Sequence, residues 1–266
     1  MKLELLTREP RGEPRAAPLL FVHGAYVGAW CWAEYFLPWF ARQGYEAHAL
    51  SLRGHGASAG RERLHLASID DYVSDVAAVA GELRSRPVLI GHSMGAIVVQ
   101  RAARRCNARA TVLMAPVPPH GLGGSLLSLA MRDPPLLFGL NAMQFGAADV
   151  SALRRVRDYL FSASVTEAEV SRYLRRTQQE SQRALVDLAW PQYFWIAASV
   201  GLPTLVIGAA KDAFFTASMI EESARFHGVT PRIFPDMAHL MMLEPGWEDV
   251  ATHIHAWLEQ TITASS

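Results

Sequence analysis

Residues 87–106 read PVLIGHSMGAIVVQRAARRC, and the centre of this stretch, GHSMG at 91–95, has the form G-x-S-x-G. In this form a serine sits on a tight turn between a strand and a helix, and its hydroxyl is presented for attack. The apolar run at 88–90 is typical of a buried parallel strand, and good helix formers follow the motif. The stretch therefore predicts a strand, a sharp turn at Ser93 and a helix.

Strand and helix patterns alternate on both sides of this turn. Apolar strands are predicted at 19–22, 45–50, 110–114, 203–207 and 231–234, and helices at 30–42, 69–84, 216–227 and 247–260. Such alternation predicts an α/β fold with a doubly wound, mostly parallel sheet. After a Pro- and Gly-rich linker the alternation stops, and helical stretches at 151–160 and 166–180 dominate. We therefore predict a core of residues 1–117 and 201–266, with residues 118–200 as a helical insertion.

The composition narrows the classes of function. The 266 residues are 50% hydrophobic, and 25 basic side chains balance 25 acidic ones. A chain of this size can bury one large core, and zero net charge gives no field that would collect nucleic acid or an anionic membrane. The opening residues lack the apolar stretch of a signal peptide, and no later run is long enough to span a bilayer. We expect no nucleic-acid partner, no membrane insertion and a cytoplasmic location; a homodimer stays open.

Two cysteines, Cys31 and Cys106, complete the compositional picture. They are far apart and form no C-x-x-C pattern, so we expect buried or unreactive thiols in a reducing compartment.

A serine hydroxyl is a poor nucleophile at neutral pH, so it needs a base within hydrogen-bond reach and a third group that orients the base. In a doubly wound sheet, functional groups gather beyond the carboxyl ends of the strands. Asp212 follows the predicted strand at 203–207, and His239 follows the one at 231–234. The order Ser, Asp, His is also the order expected for a serine on this kind of turn. We predict Ser93 as nucleophile, His239 as base and Asp212 as the orienting acid.

Other acids and histidines compete for these roles. Asp236 lies three residues before the predicted base and ranks as the second candidate acid. His55 follows a strand and is a distant further candidate base. His92 adjoins the serine in sequence and cannot easily turn back to its hydroxyl, so we expect it to pack within the turn. His253 and His255 lie in the predicted terminal helix, where surface or packing roles are expected.

Attack on a carbonyl creates an oxyanion, which needs two backbone N–H donors. One donor is expected at Met94, directly after the serine. The loop that follows the strand at 19–22 supplies the other, for which Ala25 is our choice, because Gly24 lets the backbone approach closely. Nothing in the sequence calls for a metal or an organic cofactor. Four residues near these loops are candidate substrate contacts: Gly24, Trp30, His92 and Met241.

Taken together, the segments at 22–24, 53–56 and 91–95, with Asp212 and His239, resemble the α/β-hydrolase superfamily over nearly the whole chain. The opening FVHGAYVGAWCW at 21–32 is similar to the plant-type methylesterase and hydroxynitrile lyase branch. Lyases of that branch carry threonine where this chain has Gly24 and lysine where it has Leu240, so the resemblance implies ester hydrolysis. The Arg-Gly-His-Gly segment is instead more like bacterial esterases, lysophospholipases and carbon–carbon bond hydrolases.

The resemblance further implies that the insertion is a lid over the serine. Its bulky apolar residues are expected mostly to pack the lid, and the rest to line an apolar acyl or aromatic pocket: Leu126, Leu127, Leu129, Met131, Leu136, Leu137, Phe138, Met143, Phe145, Trp190, Tyr193, Phe194 and Trp195. The expected function is that of a serine carboxylesterase acting on a small to medium apolar ester through an acyl-enzyme. A carbon–carbon bond hydrolase, a perhydrolase and a non-catalytic ligand receptor of the same fold stay open.

Overall fold

A computed structural model of the chain describes residues 1–124, 131, 133–135, 139, 144 and 156–263. The core is a seven-stranded sheet with the spatial order β1-β3-β2-β4-β5-β6-β7. Every neighbouring pair is parallel except β1 with β3. The strands are β1 Glu4–Arg8, β2 Leu19–Val22, β3 Ala47–Ser51, β4 Val88–His92, β5 Ala110–Met114, β6 Thr204–Ala209 and β7 Arg232–Phe234. The predicted α/β fold with a mostly parallel sheet is therefore confirmed.

Helices cover the sheet, so strands β2 to β6 are buried along their whole length, as parallel strands require. In the core, α3 packs against α4, and α9 packs against α2. The described helices are α1 Trp30–Ala33, α2 Phe36–Arg42, α3 Ile69–Glu82, α4 Met94–Ala102, α5 Glu167–Leu174, α6 Gln182–Ala189, α7 Tyr193–Ile196, α8 Ala217–His227 and α9 Trp247–Thr263. None of the helices in this described part is long and apolar enough to cross a bilayer.

Two local predictions differ from the structure. The helix predicted at 30–42 is divided into α1 and α2 at Tyr35, whose φ of −131° is not helical. Pro38 lies in the first turn of α2, and in a continuous helix its ring would clash with the carbonyl four residues earlier. Strand β1 was not predicted at all, because its residues ELLTR are only half-buried and lack an apolar run. It forms the antiparallel edge of the sheet beside β3.

The chain between β5 and β6 contains α5, α6 and α7, and residues 156–160 are also helical. The helix predicted at 166–180 ends earlier, at Leu174; at its start, Thr166 forms a capping box with Glu169. The first half of the helix predicted at 151–160 lies outside the described residues. We call the described part of this insertion the cap; its assignment as a separate unit of residues 118–200 stays a prediction.

The aromatic residues near the end of the cap do not have the predicted role. Trp190, Tyr193, Phe194 and Trp195 are all exposed, with Phe194 at 84%. Helix α7 is only four residues long and buries Ile196 alone, so its aromatic side chains neither pack the cap nor line an enclosed pocket. Met131 is exposed as well, and the remaining apolar residues proposed for the pocket lie outside the described part of the chain.

Candidate active site

Ser93 occupies the turn between β4 and α4. Its φ of 53° and ψ of −117° lie outside the regions favoured by residues with a side chain, a conformation that persists only where its surroundings enforce it. The Ser93 amide donates to the Met114 carbonyl oxygen at 2.9 Å, which fixes the turn to the neighbouring strand. A Cβ atom on Gly91 would lie 2.3 Å from the carbonyl oxygen of Gly95. The turn therefore requires glycine there, as the motif predicts.

Three side chains from distant parts of the chain meet at this turn. Ser93 Oγ lies 3.1 Å from His239 Nε2, and His239 Nδ1 lies 2.7 Å from Asp212 Oδ2. A carboxylate only accepts hydrogen bonds, so Nδ1 carries the proton and Nε2 is left with a lone pair towards the hydroxyl. All three residues are buried, with at most 8% of each exposed. In space, Ser93, His239 and Asp212 are arranged as a nucleophile, a base and an acid that orients the base would be.

The Asp212 carboxylate is fixed by its own loop. Its Oδ1 accepts from the amides of Phe214 at 2.8 Å and Phe215 at 2.9 Å, which leaves Oδ2 for the imidazole. The rings of these phenylalanines lie 5.2 and 5.3 Å from the His239 ring, both edge to face. The sequence analysis did not predict that Phe214 and Phe215 would hold the acid and pack on the base. The available signal was a pair of aromatic residues shortly after the acid in a loop that follows a strand.

The backbone of His239 is held from the serine turn. Its carbonyl oxygen accepts from His92 Nε2 at 2.9 Å and from the Met241 amide at 3.0 Å. Burial, with a further contribution from neighbouring His239, holds the pKa of His92 well below its usual range. His92 is therefore neutral and donates from Nε2. It packs within the turn as expected, and in addition it links the serine turn to the loop of the base.

The loop after β2 passes directly over the serine. A Cβ atom on Gly24 would lie 2.8 Å from His92 Nδ1 and 3.1 Å from Ser93 Cβ, so only glycine fits without a shift. Met94 is the first residue of α4, where an amide has no partner within the helix. Among the described residues, neither the Met94 amide nor the Ala25 amide donates to an acceptor. Two free N–H donors thus belong to the segments that flank the hydroxyl.

The rival acid and base occupy other positions. Asp236 pairs with Lys211 at 2.9 Å, and its side chain is 84% exposed. His55 is fully buried and pairs with Glu180, at 3.1 Å. His255 packs on Tyr45 and Trp39 and His253 on Phe234, in keeping with a packing role. In the described part of the chain, Asp212 is the acid in contact with His239.

Trp30 and Met241 are the remaining candidate substrate contacts. The half-buried Trp30 ring stacks on Tyr173 at 6.2 Å between centroids, and the Arg176 guanidinium lies 4.4 Å from its centre. Met241 is completely buried. Their contact with a substrate, like that of Gly24 and His92, stays a prediction.

The described residues include two cysteines, whose state can be compared with the sequence-based expectation. Cys31 is buried and Cys106 half-buried; both are free, and burial raises the pKa of the Cys106 thiol to about 11. Among the residues described, no group of three or more His, Cys, Asp or Glu side chains is arranged to hold a metal ion.

Comparisons with known proteins show which family and which relatives the chain is similar to. Residues 19–252 match the sequence profile of the Alpha/beta hydrolase family. Methyl jasmonate esterase 1 of Vitis vinifera is 37% identical over 99 residues, which are 35% of this chain and 36% of that esterase. A monoacylglycerol lipase of Mycolicibacterium smegmatis is 26% identical over 233 residues, 82% of this chain and 80% of the lipase. A candidate non-heme bromoperoxidase of Mycobacterium tuberculosis, BpoC, superposes with a TM-score of 0.75 at 19% identity, over 98% of this chain and 97% of that one.

Proposed function

The chain belongs to the alpha/beta hydrolase family, and from this premise we propose that it hydrolyses carboxylic esters through an acyl-enzyme formed on Ser93. One observation carries the proposal: the hydrogen-bonded line from Ser93 Oγ through His239 to Asp212, at 3.1 and 2.7 Å. The esterase and lipase among the relatives support the same class of reaction.

In the first half of the proposed reaction, Ser93 Oγ attacks the carbonyl carbon of the ester while its proton passes to His239 Nε2. Asp212 stabilises the imidazolium that forms. The amides of Ala25 and Met94 hold the oxyanion of the tetrahedral intermediate, and a donor of this kind contributes about 3 to 4 kcal/mol in a known case. When the intermediate collapses, the bond to the alcohol oxygen breaks and His239 returns the proton to the leaving alcohol.

The second half repeats these steps with water. His239 takes a proton from water, and the hydroxide attacks the acyl carbon. When the second tetrahedral intermediate collapses, the ester bond to Ser93 breaks, Ser93 Oγ takes the proton back from His239, and a carboxylic acid is released. The reaction consumes one water and needs no oxidant, reductant or metal. We further propose that the cap covers the serine and selects a small to medium apolar acyl group, with Trp30 and Met241 at its edge.

The test is a burst assay with p-nitrophenyl acetate on the wild type and on Ser93→Ala. We expect a burst equal to the enzyme concentration in the wild type and a loss of turnover of at least about 10⁴-fold in the variant, with an unchanged melting temperature. Ser85→Ala, at an exposed serine outside the site, is the matched control and should retain full activity.

Full esterase activity in Ser93→Ala would refute the proposal.

A screen of esters, lactones, thioesters and diketones on the wild type distinguishes the alternative functions of the same fold. Turnover confined to diketones would indicate a carbon–carbon bond hydrolase. Ligand binding without turnover of any of these compounds would indicate a receptor.

A further inference from the structure

A buried ionic cluster that the proposed reaction does not use joins the cap to the loop after β2. Its centre is Glu180, which follows α5 and has no exposed surface. Oε1 of its carboxylate accepts from the Tyr72 hydroxyl and from the Ser181 amide, both at 2.6 Å. Oε2 accepts from His55 Nε2 at 3.1 Å and from the Tyr26 amide at 3.4 Å. A glutamate is almost never buried this deeply unless it is paired, and these four contacts supply the pairing. The role of a buried and paired glutamate at this place needs an explanation.

The geometry of His55 shows that the cluster carries charge. Its Nδ1 lies 3.0 Å from the Arg53 carbonyl oxygen, and its Nε2 faces the Glu180 carboxylate. The Glu180 carboxyl group accepts from three further donors, which favours its ionised form, and with an ionised carboxylate and a carbonyl oxygen as partners both ring nitrogens carry protons and the ring is an imidazolium. Burial lowers the pKa of His55, but attraction and hydrogen bonding to Glu180 outweigh burial and raise it. The same pair keeps the pKa of Glu180 below its usual value despite its burial.

The cap holds the residue that follows the proposed oxyanion donor. Tyr26 has a φ of 66°, a left-handed conformation that is uncommon for a residue with a side chain. Its amide donates to Glu180, and its carbonyl oxygen accepts from the Gln178 amide at 2.9 Å. The Gln178 side chain is itself bound to the loop after β3, through the Gly56 amide at 2.9 Å and the Gly54 carbonyl at 3.1 Å. Both peptide groups of Tyr26 are therefore bound by the cap.

His23 fixes the preceding peptide from the other side. Its Nδ1 donates to the Gly24 carbonyl oxygen at 2.8 Å, and its Nε2 accepts from the Leu52 amide at 3.1 Å. The Gly24 carbonyl and the Ala25 N–H belong to one planar trans peptide, so fixing the oxygen fixes the direction of the N–H. The His23 ring lies 4.9 Å from the His55 ring. Burial and the charge of His55 lower the pKa of His23 to about 3, which preserves its neutral, single-donor form.

We propose that Glu180 is a positioning residue for the oxyanion hole: paired with His55, its carboxylate fixes the Ala25–Tyr26 peptide, and together with His23, which fixes the Gly24–Ala25 peptide, it sets the direction of the Ala25 N–H. The inference rests on the proposed serine hydrolase function. It makes the cap a part of the apparatus that stabilises the transition state, in addition to any role in covering the substrate. The residue acts through Ala25 and touches no reacting atom.

The test compares Glu180→Gln with the wild type, with rates normalised to active sites counted by stoichiometric labelling with a fluorophosphonate. A misdirected oxyanion donor weakens the transition state and spares the ground state. We expect kcat for p-nitrophenyl acetate to fall about 10- to 100-fold while KM changes less than about threefold. The inhibition constant of a trifluoromethyl ketone, whose adduct carries the oxyanion, should rise by the same factor as kcat falls.

Glu244→Gln is the matched control. Glu244 is also a buried carboxylate that joins cap to core, since it accepts from the Ser162 amide at 2.7 Å and from the Ser162 hydroxyl, but it has no described contact with the loop after β2. This variant should lower the melting temperature and leave kcat per labelled site unchanged. An equal fall of kcat in both variants, or no fall in Glu180→Gln, would overturn the inference.

A second variant covers failure of Glu180→Gln to fold. Tyr72→Phe removes one donor from the same carboxylate and leaves the ion pair in place. We expect a fall in kcat of about threefold, with a matching rise in the ketone inhibition constant; unchanged values for both would overturn the inference. Failure of the proposed serine hydrolase function would be recognised separately. In that case the wild type would not be labelled at Ser93, and Ser93→Ala would retain its turnover.

Discussion

The two sides of the candidate site are held in different ways. On the base side, Asp212 and His239 lie in loops after β6 and β7, and their own hydrogen-bond partners are core residues: two amides of the same loop for the acid, and His92 and Met241 for the base. The cap contacts only their neighbours, through the Leu160 carbonyl oxygen, which accepts from the Leu240 amide at 3.0 Å, and through the Tyr159 ring, 5.5 Å from that of Phe214. On the oxyanion side, the loop after β2 is bound through Tyr26 to the cap. Next to the proposed oxyanion donor the cap thus supplies a buried carboxylate and binds both peptide groups of Tyr26, whereas next to the proposed base it supplies one backbone hydrogen bond.

The strongest test of the base side is Asp212→Asn. An amide at this position can present its NH₂ group to Nδ1 and favour the wrong tautomer, so the imidazole can no longer accept the serine proton. We expect kcat to fall about 10³- to 10⁴-fold, with little change in folding. Steady-state kinetics with p-nitrophenyl acetate and circular dichroism provide the measurements.

Asp236→Asn is the control for this variant, since it removes the exposed rival acid and only its surface pair with Lys211. It should keep wild-type kinetics. The acid would have to be reassigned if Asp236→Asn were the slower of the two variants.

A side chain at Gly24 would displace the loop after β2, and through His92 it would also press on the carbonyl oxygen of His239. The Cβ atom of Gly24→Thr would lie 2.8 Å from His92 Nδ1 and 3.1 Å from Ser93 Cβ, so the loop or the serine must move. A shift of about 1 Å in a catalytic group costs about 10²-fold in rate, and we expect kcat/KM of Gly24→Thr to fall by about this factor. Gly81→Ala, at a glycine with open space around it, is the control and should be at least as active. Equal kinetics in both variants would show that the close approach at Gly24 is dispensable.

The smallest effect concerns pH and the ion pair that holds the oxyanion loop. The pKa of His55 is raised in the folded state, so its contribution is complete below the unfolded value of 6.5 and is lost as the pH rises through the folded pKa. We expect the free energy of unfolding of the wild type, relative to His55→Gln, to fall by up to about 1.4 kcal/mol per pH unit between pH 6.5 and the raised folded pKa, and to level off above that pKa. Below about pH 4.5 the protonation of Glu180 should reduce the same difference.

Urea unfolding of both proteins from pH 4 to 9 measures this difference. Glu180, His23, Tyr72 and Arg61 are the titratable or charged groups that face His55, and the variant keeps all of them. A difference that is flat above pH 6.5 would show that His55 is neutral in the folded protein.

The sequence was informative where chemistry follows a strand. Asp212 lies three residues after the buried strand β6, His239 lies five residues after the short edge strand β7, and both strands are parallel to their neighbours, as expected. Strand β1 escaped prediction because its side chains are only half-buried, and the break at Tyr35 escaped because the apolar pattern continues through it. Periodicity detects buried faces, and neither feature alters a buried face.

Glu180 could not be found in this way. Its partner His55 is 125 residues away, and no local pattern separates a buried glutamate from the exposed ones that are usual in a helical segment. The aromatic residues of α7 illustrate the opposite error, since their hydrophobicity suggested burial that a four-residue surface helix does not provide. A single sequence displays neither the long-range pairing of Glu180 nor the surface position of α7.

Ser93 and His239, its proposed base, are 146 residues apart along the chain. During synthesis at about 5 to 20 residues per second, roughly 7 to 30 s pass between the appearance of the hydroxyl and that of the imidazole. Throughout that interval the nascent polypeptide carries a serine with no means of losing its proton. On the proposed mechanism, a ribosome-bound chain is therefore inert towards the esters around it, and reactivity begins only when the last strand joins the sheet.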